Sequence, residues 1–127
     1  MIAPTMATML AFFTTDATID SPRLHRALVA AVGESLNRIT VDGDTSTNDC
    51  AVILASGAAG APPIEREGPD DEAFQAALTT VARRLAEMLV GDGEGVTRVA
   101  EVRVEGAGSG DEADRVARVV AESPLVK

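Results

Sequence analysis

The sequence predicts an α+β fold in which helices pack on a mixed or antiparallel sheet. Short apolar runs, typical of strands, are interspersed with longer stretches whose apolar residues recur every three or four positions, as in amphipathic helices. The two kinds of segment do not alternate strictly, which favours helices on one face of a sheet. The length of 127 residues is close to the usual size of one domain, so we expect a single core.

The first half of the chain predicts two buried strands around a helix. Thr8–Thr15 (TMLAFFTT) and Ala51–Ser56 (AVILAS) are apolar runs of strand length. Between them, Ser21 followed by proline is typical of a helix N-cap, and the helix should end near Asn37. Ile39–Val41 reads as a brief strand. The apolar stripe of this helix comprises Leu24, Leu28, Val32 and Leu36.

The second half predicts two helices around one strand. A helix follows the acidic loop that ends near Asp70, and Gly91 should stop it. Thr97–Glu105 alternates valine with charged residues, which predicts a half-buried strand that is antiparallel or at a sheet edge. A third helix should open at Asp111 and end before Pro124. Its inward residues should be Val116, Val119 and Val120.

Composition excludes several classes of function. The chain has three Phe, no Trp and no Tyr, so it lacks the aromatic platforms on which single-stranded nucleic acid stacks. A net charge of -9 opposes binding to nucleic acid or to an anionic membrane. One cysteine makes neither an internal disulfide nor a cysteine zinc site. The apolar stretch Met1–Phe13 has no Lys or Arg before it and is too short to span a membrane, so we expect a cytoplasmic protein.

The sequence pattern alone gives little indication that isolated polar residues have a catalytic or binding role. His25 lies on the polar flank of the first helix, where a solvated side chain is the simplest interpretation. Cys50, at the start of a buried strand, fits a small buried hydrophobe better than a nucleophile. The acidic cluster from Glu65 to Glu72 suits a solvated loop before a helix N-terminus and lacks the spacing of a calcium loop. We predict no metal site.

Two loops leave alternatives open. Asp42–Asp49 (DGDTSTND) is either a turn whose side chains bond their own backbone or an active-site loop held against a sheet edge. Gly91–Gly95 (GDGEG) is either a helix stop with a turn or a place where backbone approaches a ligand closely. Pattern alone favours the turn at both places.

Seven short motifs nevertheless follow one another along the whole chain. They are MIAP at 1–4, MATML at 6–10, TTD at 14–16, DGDTSTND at 42–49, ASG at 55–57, DGEGVT at 92–97 and SPLVK at 123–127. In this order they resemble the ornithine acetyltransferase family of arginine biosynthesis, bifunctional glutamate N-acetyltransferases often called ArgJ. Several motifs in the right order are a specific signal, which no single one of them provides.

The resemblance implies a self-cleaving acetyltransferase. Family members cut themselves at the bond that corresponds to Ala7-Thr8, and Thr8 then takes an acetyl group from N-acetylornithine and passes it to glutamate. The resemblance makes Thr8 the catalytic residue and, with Glu94, a substrate contact. Glu94 would bind an amine of ornithine. No cofactor and no metal is implied, and the fold would be part of a larger N-terminal-nucleophile-like α/β sandwich.

The chemistry of that assignment is coherent. A threonine hydroxyl is a weak nucleophile until a base takes its proton. An N-terminal threonine supplies such a base, because a free α-amine has a pKa of about 7.7 to 8.0. The same hydroxyl breaks the precursor bond by forming an ester that water opens. Both steps need an oxyanion hole, worth about 3 to 4 kcal/mol per donor.

The resemblance also implies that residues are missing at both ends. Residues 1–7 would be the end of the α-chain segment and residues 8–127 the first part of the β-chain segment, so 1–127 is a single partial domain. The rest of both segments would complete an α/β hetero-oligomer, and this fragment alone should be inactive. Thr5 stands where the family usually has Asn, and Cys50 where it usually has Thr.

Two other functions stay open on the sequence. One is a related amide hydrolase, since N-terminal-nucleophile enzymes of similar architecture pass acyl groups to water. The other is a non-catalytic interaction domain that retains the fold.

Overall fold

The structure is a computed structural model that describes residues 9–41, 43, 47–93 and 95–126. Two strands and three helices make up its regular elements. In chain order they are β1 (Leu10–Thr15), α1 (Ser21–Gly33), a 3-10 turn (Leu36–Arg38), β2 (Cys50–Ala55), α2 (Pro69–Gly91) and α3 (Gly110–Ala121). No helix within these ranges is both long enough and apolar enough to cross a membrane.

The strands pair in parallel, so the expected mixed or antiparallel pairing is wrong. The register runs from Leu10 opposite Cys50 to Thr15 opposite Ala55. A parallel pair needs a crossover connection, and α1 provides it between β1 and β2. The rest of the prediction is confirmed, because helices pack on a small sheet in an α+β arrangement.

Helix α1 begins one residue earlier than the prediction of Ser21 as N-cap placed it. The cap is Asp20, whose Oδ1 accepts a hydrogen bond of 2.8 Å from the backbone nitrogen of Arg23. Ser21 is therefore the first helical residue. The helix ends at Gly33, and the apolar stripe continues through the 3-10 turn that holds Leu36, so the predicted end near Asn37 is too late.

The cap gives a first prediction. We expect Asp20→Ala to lower the free energy of unfolding by about 1 kcal/mol, because the amide of Arg23 loses its acceptor. Asp20→Asn keeps a side-chain oxygen and should lose less. Urea denaturation of both variants measures this, and an equal loss in the two would contradict the hydrogen-bond explanation.

The core lies between the inner face of the sheet and the first two helices. Ala31 of α1 and Ala82 of α2 are 0% exposed, and Leu36 is 2% exposed. Ala11 and Phe13 bring the inner face of β1 into the same cluster. Small residues at the helix crossing let the backbones approach closely.

The opposite face of the sheet is apolar and open. Phe12 is 67% exposed, and the exposed fractions of Leu10 and Leu54 are only slightly smaller. Parallel sheets are usually covered on both faces. The larger sandwich that the resemblance implies requires such an apolar outer face, and this face meets that requirement.

Three further expectations are corrected. Thr97–Glu105 forms no strand, although its valines 102 and 104 are half-buried and its charged residues exposed; the described residues offer it no partner strand. Ile39–Val41 likewise forms no extended strand. Helix α3 has no buried residue, so its three valines do not face a core. Val119 is 72% exposed, and the other two are also exposed.

Candidate functional site

The predicted site residues Ala7, Thr8 and Glu94 lie outside the described residues. The structure describes the residues next to them, Met9 on one side and Gly93 and Gly95 on the other. The geometry of the candidate site is therefore built from these neighbours.

Met9 is held by both of its backbone groups. Its nitrogen donates a hydrogen bond of 2.9 Å to Oδ1 of Asp49, and its carbonyl accepts one of 2.9 Å from the nitrogen of Cys50. The side chain of Met9 is buried in the core cluster. Because β1 and β2 are parallel, their amino ends meet, and residues 40 positions apart in sequence become neighbours.

Among the described residues, the carboxylate of Asp49 forms a hydrogen bond through one of its oxygens. Oδ1 accepts from the nitrogen of Met9, whereas Oδ2 is buried and has no hydrogen-bond partner in the described ranges. An ionised carboxylate has acceptor capacity on both oxygens, so this one retains a free acceptor. For the run Asp42–Asp49, of which the structure describes residues 43 and 47–49, this contact supports the interpretation of a loop held against a sheet edge.

The glycine-rich segment around Glu94 is a helix stop followed by a turn. The nitrogen of Asp92 donates to the carbonyl of Met88 at 3.0 Å, and that of Val96 donates to the carbonyl of Gly93 at 3.0 Å. Gly95 has φ +76°, a left-handed conformation that favours glycine. A Cβ at position 93 would lie 2.8 Å from a methyl carbon of Val96. Glycine at both positions is thus explained by the turn itself.

The other polar candidates have structural or solvent roles. His25 is exposed on α1, as expected. Cys50 is also exposed, so the prediction that it is buried is wrong; its side chain shares the open outer face of the sheet with Leu10. Asp71 of the acidic cluster pairs with Arg23 at 2.9 Å and links α2 to α1. Within the described ranges, no group of three or more His, Cys, Asp or Glu could hold a metal ion.

A cleft of about 820 Å³ opens between residues 33–40, at and just after the end of α1, the second half of α2, α3 and residues 99–102. Three arginines line it, and each is in an ion pair: Arg38 with Asp114, Arg83 with Glu34, and Arg118 with Glu122. These pairs neutralise the arginine charges. Sequence reasoning missed this cleft because four separate segments form it.

Sequence reasoning also missed the role of Asp49 as the residue that fixes Met9. A signal was present, because Asp49 directly precedes a predicted strand. It becomes informative only when that strand is known to lie parallel to the strand that follows Thr8.

Comparison with known proteins gives a consistent result along the whole chain. The model of the family described as "ArgJ family" matches residues 1–127. The chain is 52% identical over 127 residues to the arginine biosynthesis bifunctional protein ArgJ of Shouchella clausii. It is 53% identical to the protein of that name from Methylococcus capsulatus. Both alignments cover 100% of this chain and 31% of the relative, so the chain spans less than a third of these curated relatives.

A solved structure agrees with the sequence comparison. The crystal structure of arginine biosynthesis bifunctional protein ArgJ from Bacillus halodurans superposes with a TM-score of 0.88 at 49% identity. The match covers 94% of this chain and 56% of that chain. Family model, relatives and fold therefore agree, and the chain belongs to the ArgJ family.

Proposed function

We propose that the complete protein containing this chain transfers the acetyl group of N-acetylornithine to glutamate in arginine biosynthesis. The observation that carries the proposal is the family match over all 127 residues, with relatives about half identical that are named as bifunctional arginine biosynthesis proteins. These alignments span the whole chain and therefore cover the stretches in which the seven motifs lie.

The proposed mechanism has two stages. In the first, the hydroxyl of Thr8 attacks the carbonyl of Ala7, the peptide bond breaks, and water opens the resulting ester. In the second, the freed α-amine of Thr8 takes the hydroxyl proton while the oxygen attacks the acetyl carbon of N-acetylornithine. Ornithine leaves, and the amine of glutamate then removes the acetyl group from Thr8. No external cofactor enters these steps.

The described structure supports this mechanism through Met9. A nucleophile works best when its position is fixed before the reaction. Thr8 is bonded to a residue whose nitrogen and carbonyl are both anchored, to Asp49 and Cys50. The other proposed contact, Glu94, lies in sequence between Gly93 and Gly95, and the described residues on either side of it form the stop of α2 and a turn.

The remaining parts of the active protein are also proposals. The oxyanion donors and the rest of the substrate pocket come from segments outside residues 1–127, which assemble with this chain as an α/β hetero-oligomer in the cytoplasm. Residues 1–7 end the α segment, and residues 8–127 begin the β segment.

A chimera tests the proposed function. Residues 1–127 replace the matching stretch of the Shouchella clausii relative, and the purified protein receives N-acetylornithine with isotope-labelled ornithine but no glutamate. We expect label to enter N-acetylornithine, because an acetyl-threonine intermediate returns its acetyl group to ornithine. Mass spectrometry should show an added acetyl group on the segment that begins at Thr8. Addition of glutamate should then yield N-acetylglutamate.

The two alternative functions give different results in the same experiment. Release of free acetate that does not depend on glutamate would show an amide hydrolase. A chimera whose Ala7-Thr8 bond stays intact and which exchanges no label would show a non-catalytic domain.

The fragment by itself provides another prediction. We expect residues 1–127 alone to show no acetyl exchange in this assay, since the oxyanion donors are supplied by other segments. Exchange by the fragment at the rate of the chimera would contradict that division of the site.

A further inference from the structure

We propose that Asp49 is the base that accepts the hydroxyl proton of Thr8 during self-cleavage. This inference rests on the proposed function, because it assigns a residue to the first of its two stages. It starts from a requirement of the chemistry. Before the cut, the nitrogen of Thr8 is part of the peptide bond to Ala7, so it has no lone pair available to take a proton. The first stage therefore needs a base that the second stage does not.

The contact of Asp49 with Met9, the residue that follows Thr8 in sequence, supports this assignment. Its Oδ1 lies 2.9 Å from the nitrogen of Met9. That nitrogen is bonded to the carbonyl carbon of Thr8, and consecutive Cα atoms are about 3.8 Å apart across a trans peptide. The carboxylate of Asp49 is thus hydrogen-bonded to the residue that directly follows Thr8, whose hydroxyl must lose its proton.

The second oxygen of Asp49 meets the requirement of availability. Oδ2 is buried and has no hydrogen-bond partner in the part of the chain that the structure describes. A buried acceptor without a partner costs free energy, typically about 1 to 3 kcal/mol, and unsatisfied polar atoms in native structures often have a functional explanation. Holding Met9 needs only one oxygen, which an asparagine would also provide. The second oxygen and the negative charge are what an aspartate adds.

The proposed step is balanced as follows. The O–H bond of Thr8 breaks, its proton moves to Oδ2 of Asp49, and the oxygen forms a bond to the carbonyl carbon of Ala7. The tetrahedral intermediate collapses as its C–N bond breaks, and the proton passes from Asp49 to the departing nitrogen. An ester and a free amine result, and Asp49 is again a carboxylate. One water molecule then hydrolyses the ester to the Ala7 carboxylate and the Thr8 hydroxyl.

The test compares self-cleavage in variants of the full-length chimera. Asp49→Asn retains an oxygen for the nitrogen of Met9 but loses the base, so we expect cleavage to slow at least a hundredfold, the usual loss for a general base. Asp70→Asn is the matched control, since Asp70 is exposed in the first turn of α2, and it should cleave like the parent. Time courses by intact-mass spectrometry give the rates, and thermal melting shows whether each variant is folded.

The outcomes separate this inference from the proposed function. Cleavage of Asp49→Asn close to the parent rate overturns the role of Asp49 and leaves Thr8 as nucleophile. A parent chimera that never cleaves overturns the proposed function, and this inference with it. If Asp49→Asn melts well below the parent, Asp49→Ala with added formate decides: faster cleavage with formate supports a base at this position, and unchanged cleavage overturns it.

Discussion

Replacement of Thr8 by alanine is expected to abolish both self-cleavage and acetyl transfer in the completed protein. The change removes the side-chain oxygen that attacks the carbonyl carbon in both stages of the proposed mechanism, and loss of a covalent nucleophile lowers turnover by about 10⁴-fold or more. Intact-mass spectrometry should show a single uncut chain, and labelled ornithine should not enter N-acetylornithine.

Two further variants test whether the effect is specific to the hydroxyl of Thr8. Thr8→Ser keeps a hydroxyl and should retain cleavage and exchange. Thr80→Ala removes a threonine hydroxyl from the exposed side of α2, where it donates to the carbonyl of Ala76, and should behave like the parent. Normal acetyl transfer by Thr8→Ala would contradict the proposed role of Thr8 as the nucleophile.

Replacement of Leu36 by alanine is expected to lower the free energy of unfolding by about 2 to 5 kcal/mol. Leu36 is 2% exposed and belongs to the core cluster between the sheet and the first two helices. Its truncation removes buried apolar surface and leaves a cavity that the surrounding helices fill only in part. Urea denaturation followed by circular dichroism measures the loss.

Leu125→Ala is the matched control for this core substitution. Leu125 is 99% exposed, so the same change in side chain should alter stability by no more than about 0.5 kcal/mol. Equal effects of the two substitutions would show that Leu36 is not packed as described.

Local patterns predict which segments form elements better than they predict how those elements pair. The run Ala51–Ser56 and the proline-started segment at Ser21 both indicate the correct kind of structure, because strand length and helix-start signals are encoded in neighbouring residues. Parallel pairing of β1 with β2 depends on a contact between residues 40 positions apart. The three valines of α3 show the same limit, since a helical stripe does not specify what faces it.

The residues of the candidate site also differ in whether sequence or structure identifies them. Thr8 and Glu94 come from motifs that resemble those of a family, and no periodicity or spacing would have selected them. Asp49 stands in a polar run in which several side chains look equivalent by sequence. Only the parallel register distinguishes it, by placing its carboxylate against the nitrogen of Met9.

The double anchoring of Met9 has a consequence for any new chain end created just before it. The first residues of a chain are usually poorly ordered, and fixing the backbone of each costs about 1 to 2 kcal/mol in conformational entropy. In the proposed mechanism the cut makes Thr8 the first residue, directly before the anchored Met9, so we expect little backbone entropy to be lost when Thr8 engages a substrate. We therefore expect the new chain end to remain close to the position of the proposed cut.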